Sequence, residues 1–149
     1  MKFVIQTVSQ ANIVCTSQPE PQSIWHGLVI YIGIHKNDIV WSDDQIKKVV
    51  QDIVELRCME DTQGKINVNI QDTQWSILLV SNFTLYGSNK KGKRLDFGES
   101  ARFEDAQSLY TRILQTFNDS GIHCISGVFG DYMTIQSTVT WPINIVLEY

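Results

Sequence analysis

Apolar residues recur along this chain at two spacings, one typical of strands and one typical of helices. Alternating or continuous apolar residues predict strands at 3–8, 12–16, 28–34, 65–70, 75–86, 123–140 and 143–149. The first two are expected to pair with each other. The prolines at 19 and 21 predict a loop over 17–22, and Trp141-Pro142 separates the last two strands.

Two segments place apolar residues at helical spacing. A capping box from Ser42 to Gln45 predicts the start of the first helix, because the two end residues bind each other's backbone N–H groups. Its apolar stripe is Ile46, Val49, Val50, Ile53 and Val54. The second helix is predicted over 101–118, with Gly121 just past its end. Its stripe is Phe103, Ala106, Tyr110, Ile113, Leu114 and Phe117.

The order of these elements indicates the fold class. Three strands, a helix, two strands, a helix and two strands do not alternate as a Rossmann fold does. We therefore predict an α+β fold, with a curved sheet or barrel of mostly antiparallel strands and two main helices packed against it. No repeat, low-complexity segment or linker divides the chain, so residues 1–149 are expected to form a single domain.

Composition narrows the class of protein. Hydrophobic residues make up 43% and charged residues 19%, which is typical of a globular chain rather than a disordered one. The apolar runs are too short to cross a bilayer and the first residues resemble a strand rather than a signal peptide, so a cytoplasmic location and no membrane contact are expected. The net charge is −4, so any contact with nucleic acid must come from a local basic patch.

The cysteines show neither disulfide nor zinc-site spacing. They are Cys15, Cys58 and Cys124, an odd number with no close pair. Each is interpreted as a small core residue rather than a nucleophile. The three histidines are also scattered, and no metal is expected.

A polar cluster follows the apolar run that ends at Val80. Strand alternation predicts that Ser81 and Phe83 face one way while Asn82 and Thr84 face the other. Two hydroxyls and an amide at a strand end are suited to holding a carbonyl or a ribose. The alternative is an edge strand that satisfies its own backbone groups.

A basic loop lies between the aromatic residues Tyr86 and Phe97. A glycine-containing basic loop suits the phosphates of RNA, and the flanking rings are suited to stacking on a base. The alternatives are a solvated surface loop and core packing of the rings. The basic residues are Lys90, Lys91, Lys93 and Arg94, four of the 12 in the chain.

Two later segments are further candidates. The segment from Phe129 through Gly130 to Met133 offers apolar surface at a bend, which suits an adenine pocket or simply a core residue and a turn. A proline within a strand pattern, here after Trp141, marks a bulge, an edge or a cis bond.

Taken together, these segments resemble the D-aminoacyl-tRNA deacylases along almost the whole chain. Residues 81–86 are similar to the family's Ser-Gln-Phe-Thr-Leu-Tyr signature, and residues 56–67 and 129–133 match two further motifs in the right order. The resemblance implies hydrolysis of the ester between a D-amino acid and the 3′-terminal adenosine of tRNA, without a metal or cofactor. It also implies a homodimer with active sites near the interface.

The resemblance assigns roles to individual residues. The catalytic set is Ser81, Asn82 and Thr84. The substrate-binding set is Phe83, Phe129, Gly130, Met133, Trp141 and Pro142, and the tRNA-binding set is Lys90, Lys91, Lys93 and Arg94. Either Thr84 is a nucleophile or the 2′-hydroxyl of the tRNA assists the reaction.

Three positions depart from the family pattern. Asn82 replaces a glutamine, Thr7 replaces an arginine that braces the family's Gly-Pro loop, and Trp141-Pro142 falls where that Gly-Pro stands. In the family, a cis Gly-Pro from the partner subunit excludes L-amino acids. The departures leave three hypotheses: a D-specific deacylase, a deacylase of altered selectivity for glycine or a small L-amino acid, and a non-catalytic RNA-binding relative.

Overall fold

The fold is described by a computed structural model that covers residues 1–90 and 92–149. Lys91, predicted to bind tRNA, lies outside the described residues. Two helices pack on a mixed five-stranded sheet, and a small second sheet lies apart from it. The α+β class predicted from the sequence is therefore confirmed.

The strands differ in length and in pairing direction. They are β1 (Lys2–Cys15), β2 (Gln22–Gly33), β3 (Met59–Glu60), β4 (Ile66–Val68), β5 (Ser76–Ser81), β6 (Cys124–Ser126) and β7 (Met133–Glu148). The large sheet has the order β6-β5-β2-β1-β7, while β3 pairs with β4. β1 is antiparallel to β2 and β7, whereas the β2–β5 and β5–β6 pairs are parallel.

The segments predicted at 3–8 and 12–16 are two parts of one strand. β1 runs without a break and pairs with β2 along most of its length. Its pairing with β7 is irregular between Gln6 and Val8 and again between Val8 and Gln10. Such an irregularity moves side chains to the other face of the sheet. The apolar pattern is therefore interrupted in the sequence although the strand continues.

The end of the chain also differs from the prediction. β6 is short, and a loop separates it from β7, which continues through Trp141-Pro142 as a single strand. The Trp141-Pro142 peptide bond is cis. β7 lies at the edge of the sheet, which is one of the positions where a strand tolerates a proline.

The sheet carries a hydrophobic cluster on each face. Ile77 and Leu79 of β5 belong to the cluster beneath the helices, and Leu78 and Val80 belong to a second cluster. Alternate residues of a strand point to opposite faces, so β5 separates the two clusters. β1 takes part in both, because Phe3 lies in the first and Ile13 in the second.

The helices follow their local signals closely. α1 spans Asp43–Val54 and begins at the predicted capping box, with both side-chain contacts formed, and all five residues of its stripe are buried. α2 spans Phe103–Asp119, and Gly121 follows its end with a φ of +84°. Phe103 was predicted in the buried stripe, but it is 53% exposed. Neither helix in the described ranges is long and apolar enough to cross a membrane.

Candidate active site

The candidate site begins where β5 ends. Ser81 is the last residue of β5 and lies opposite Ile32 of β2, and the Asn82 N–H donates to the Ile32 carbonyl at 2.8 Å. The chain then leaves the sheet and forms a 3-10 turn over Phe83–Tyr86. The strand predicted to continue to residue 86 is therefore wrong beyond Ser81. The predicted alternation of faces does not apply to the turn.

The Asn82 side chain explains why the strand stops. Its Oδ1 accepts hydrogen bonds from the Thr84 N–H at 3.0 Å and from the Thr84 hydroxyl at 2.5 Å. Asparagine commonly binds the backbone two residues ahead, and this competes with strand pairing. The Gly87 N–H then donates to the Thr84 carbonyl at 2.9 Å and closes the turn. The segment does satisfy its own backbone, but in a turn beside a central strand rather than along an edge strand.

Phe83 and Thr84 face solvent from this turn. The Phe83 side chain is 59% exposed and packs edge-to-face on Phe97, with the ring centroids 5.2 Å apart. The Ser100 hydroxyl donates to the Phe83 carbonyl at 2.9 Å. The turn therefore presents an aromatic ring and a hydroxyl at positions that neighbouring contacts hold in place. Sequence analysis missed Ser100, which carries no local signal.

Tyr86 faces inward, unlike Phe83. Its ring lies 5.2 Å from the His35 ring, and the Lys2 ammonium lies 5.1 Å from its centroid. Burial raises the pKa of the Tyr86 phenol, and the negative charges of Asp38 and Glu148 raise it further. Both aromatics that flank the basic loop, Tyr86 and Phe97, are thus partly buried and contact other rings of the protein.

The base of the basic loop is fixed next to the turn. Ser88 and Asp96 exchange two backbone hydrogen bonds of 2.9 Å each, directly after Gly87. The basic side chains between them are exposed at Lys90, Lys93 and Arg94. Three of the predicted tRNA-binding residues therefore lie exposed in a loop whose base directly follows the candidate catalytic segment.

The structure assigns Phe129 and Met133 to different clusters. Phe129 is half-buried against Phe103 and Tyr110, with centroids 5.2 and 5.4 Å apart, in the cluster beneath the helices. Met133 begins β7 and packs in the second cluster. Between them, Gly130 has a φ of +76°, and a Cβ there would lie 2.3 Å from the Phe103 ring. The positive φ therefore favours glycine here, and any side chain at this position would also require the Phe103 ring to move.

Asp131 holds this loop against the start of the β1–β2 connection. Its carboxylate accepts from both the backbone N–H and the hydroxyl of Ser17, each at 2.7 Å. These hydrogen bonds, with the backbone contribution the larger, lower the pKa of the Asp131 carboxyl. The Phe129–Met133 segment is therefore tied to the rest of the protein at its middle.

Trp141 and Pro142 project from the edge strand. The Trp141 side chain is 84% exposed, so the indole does not pack on its own chain. Thr140, the residue before Trp141, is held by β1, because the hydroxyl of the buried Thr7 donates to the Thr140 carbonyl at 2.9 Å. The resemblance implies an arginine at position 7 that braces the segment around Trp141-Pro142. Thr7 contacts this segment through one neutral hydrogen bond instead.

The titratable chemistry near the turn is limited. The Thr84 hydroxyl contacts the neutral Asn82 amide and no titratable side chain of the described chain. Desolvation by burial raises the pKa of the Cys58 thiol to about 11 and that of Cys124 to about 12. Within residues 1–90 and 92–149, no group of three or more His, Cys, Asp and Glu side chains is placed to hold a metal ion.

Comparison with known proteins decides the family. The family model described as D-Tyr-tRNA(Tyr) deacylase matches residues 4–148. The chain belongs to this family. The D-aminoacyl-tRNA deacylase of Halalkalibacterium halodurans is 34% identical over 148 residues, covering 99% of each chain. That of Fervidobacterium nodosum is 32% identical over 148 residues, covering 99% of this chain and 97% of the relative.

Solved structures agree with the deacylase family fold. A protein described as c-Myc DNA Unwinding Element Binding Protein superposes with a TM-score of 0.87 at 29% identity, covering 100% of this chain and 99% of its own. A probable eukaryotic D-amino acid tRNA deacylase also gives a TM-score of 0.87, at 15% identity, covering 98% of this chain and 97% of its own. This second likeness shows the fold alone.

Proposed function

We propose that this chain hydrolyses the ester bond of D-aminoacyl-tRNA and releases the free D-amino acid and tRNA. The carrying observation is membership of the deacylase family over residues 4–148. The exposed Thr84 hydroxyl, in the turn that follows β5, supplies a polar group where the family signature lies. Because charged tRNA is a substrate of the cytoplasm, the expected cytoplasmic location belongs to the same proposal.

The turn favours a reaction without a covalent threonine intermediate. A threonine nucleophile needs a base that removes its proton. The Thr84 hydroxyl donates to a neutral amide, which does not accept a proton at neutral pH. Attack by water on the ester carbonyl fits this arrangement better, with the 2′-hydroxyl of the tRNA accepting the water proton while it passes its own proton to the departing 3′-oxygen. Thr84, held by Asn82, then helps to bind and orient the aminoacyl-adenosine.

A panel of aminoacyl-tRNAs tests the proposed activity. We expect hydrolysis of D-Tyr-tRNA and little hydrolysis of L-Tyr-tRNA, with Gly-tRNA and L-Ala-tRNA as further members. The Thr84→Ala variant is run beside the wild type, to separate site chemistry from contamination. No hydrolysis of any member, with tRNA binding retained, would instead identify a non-catalytic RNA-binding relative.

A second candidate, deacylation with altered selectivity, is favoured by Trp141. A large indole stands where the family has glycine, and it is 84% exposed rather than packed away. If this ring borders the acyl group, the space available to the amino-acid side chain differs from that in the family. Preferential hydrolysis of Gly-tRNA or L-Ala-tRNA in the same panel would support this candidate over the D-specific one.

The basic loop is proposed to bind the tRNA phosphates. Lys93 and Arg94 are exposed, and the base of their loop is fixed by the two hydrogen bonds between Ser88 and Asp96, next to the turn. Reversing both charges, in Lys93→Glu/Arg94→Glu, is expected to weaken tRNA binding and to flatten its dependence on salt. The logarithmic slope should fall by about 0.7 to 0.9 for each phosphate that is no longer neutralised by a basic side chain.

A matched variant separates this effect from net charge. Lys47→Glu/Lys65→Glu reverses two exposed lysines on α1 and before β4, so its net charge equals that of the loop variant. It is expected to keep most of the tRNA affinity and the wild-type salt slope. An equal loss of affinity in both double variants would remove the specific role of the loop.

The proposal includes a homodimer formed through β7. This edge strand has 16 residues and exposes Val139, Trp141 and Val146 by 40%, 84% and 64%. Long exposed edge strands with apolar side chains tend to pair with another chain. A second copy on this edge would bring Trp141-Pro142 close to another protomer. A sedimentation mass of two chains is expected, and a monomer with full activity would contradict the arrangement.

A further inference from the structure

We propose that Asn82 is a positioning residue that orients the Thr84 hydroxyl as an acceptor for a hydrogen-bond donor of the bound aminoacyl-adenosine. The inference rests on the proposed function, because it names what the same site recognises. Its basis is the pair of contacts that Asn82 makes with Thr84.

The direction of the Thr84 proton follows from these two contacts. A backbone N–H donates only to an acceptor, so the Asn82 atom that lies 3.0 Å from the Thr84 nitrogen is the amide oxygen. The same oxygen lies 2.5 Å from the Thr84 hydroxyl oxygen. An amide oxygen carries no hydrogen, so the hydroxyl must be the donor.

This direction decides what Thr84 offers to a ligand. A threonine hydroxyl has one hydrogen and two lone pairs, and here the hydrogen is already committed. The side chain is exposed, so its lone pairs remain open to a ligand. Near an aminoacyl ester the available donors are the α-ammonium group and the ribose 2′-hydroxyl. Both are N–H or O–H donors within a few bonds of the ester carbonyl.

The length of the Asn82 side chain matters for this role. An asparagine oxygen reaches the backbone N–H two residues ahead, whereas a glutamine carries one more methylene and is not among the residues that favour this turn. A glutamine at position 82, as in the family signature, would not hold Thr84 in the same way. The proposed orientation is therefore specific to chains with asparagine here.

A binding cycle tests the inference directly. The probes are adenosine carrying D-tyrosine through a stable 3′-amide, the same compound lacking the α-amino group, and the same compound lacking the 2′-hydroxyl. The wild type is expected to bind the complete probe about tenfold more tightly than the probe lacking the recognised donor. Equal affinity of the wild type for all three probes would overturn the inference.

The protein variants show whether Asn82 acts through Thr84. Asn82→Ala and Thr84→Val are each expected to reduce the tenfold preference to less than twofold, and the double variant to lose no more than either single variant. Retention of the preference in Asn82→Ala, or multiplication of the two effects in the double variant, would overturn the inference.

Two further substitutions of Asn82 distinguish the proposed positioning role from a purely structural one. Asn82→Ser keeps a neutral oxygen that caps such turns and is expected to recover part of the preference, whereas Asn82→Gln is not. A uniform loss of affinity for all probes, with a lower urea midpoint, would indicate a structural role only. Absence of hydrolysis by the wild type would reject the proposed function, while the binding cycle would still decide the role of Asn82.

Discussion

The Thr7 hydroxyl donates to the Thr140 carbonyl at 2.9 Å, and this contact links the point where β1 becomes irregular to the residue before Trp141-Pro142. Thr7 is only 4% exposed. A neutral hydroxyl therefore holds a segment for which the family resemblance implies a bracing arginine. One contact of this kind supports the strand while adding no charge beside it.

Replacement of Thr7 by valine is expected to remove this support. Valine has a similar shape but no donor, so the Thr140 carbonyl loses a partner and the free energy of unfolding falls by about 1 kcal/mol. Urea denaturation measures this change, and the kcat/KM for D-Tyr-tRNA reports its effect on the site. Thr7→Ser keeps the hydroxyl and is the control. Identical behaviour of Thr7→Val and the wild type would show that the contact has no role.

Truncation of Trp141 should change selectivity but not the stability of the protomer. The indole is 84% exposed, so Trp141→Ala is expected to alter the free energy of unfolding by less than about 0.5 kcal/mol. Without the ring the acyl group has more room, so the ratio of kcat/KM for D-Tyr-tRNA to that for Gly-tRNA should rise severalfold. Trp25→Ala, at a tryptophan 68% exposed on β2, is the matched control. An unchanged ratio would place Trp141 away from the acyl group.

Asp131 should make stability depend on pH in the acid range. Its pKa is lowered in the folded protein from the ordinary 3.8 by the hydrogen bonds from Ser17. Its stabilising effect is therefore fully present above the unfolded value and is lost as pH falls through the lower folded pKa. Asp131→Asn should be less stable than the wild type at pH 7, and the difference should shrink below about pH 4. Urea midpoints across this range measure it, and a constant difference would be inconsistent with linkage.

The cysteines should be unreactive in the folded protein. Cys58 and Cys124 are buried, and desolvation raises their thiol pKa values to about 11 and about 12. Thiolate is the reactive form, so at pH 8 an aromatic disulfide reagent should modify them only as fast as the chain opens. Reaction of the native protein at the rate of the urea-unfolded chain would contradict their interpretation as core residues.

The elements that depend on contacts between neighbouring residues could be predicted from the sequence. The Ser42 capping box and the buried stripe of α1 follow from spacing alone, and both are confirmed. The position of the candidate site at the end of β5 was also predicted. The turn that follows was not, because Phe83 to Tyr86 has the composition of a strand and only the Asn82 side chain reverses that preference.

Features that depend on distant parts of the chain were beyond the sequence. The irregular pairing of β1 with β7 made one strand read as two, and nothing near β2 indicates that β5 lies parallel to it. The contact between Thr7 and Thr140 joins residues 133 positions apart. The resemblance associated position 7 with the Trp141-Pro142 segment, but it did not indicate that Thr7 would bind the Thr140 carbonyl.

The continuity of β1 and β7 has a consequence for how the protein unfolds. β1 carries Phe3 in one cluster and Ile13 in the other, and β7 likewise contributes Leu147 to the first and Met133 to the second. Each of these strands therefore passes from one cluster to the other without a break in the strand. If one cluster unfolds, the strands of the other cluster lose part of their pairing. Both clusters should therefore unfold in a single cooperative transition. The candidate active site at the end of β5 should then unfold with the sheet rather than separately from it.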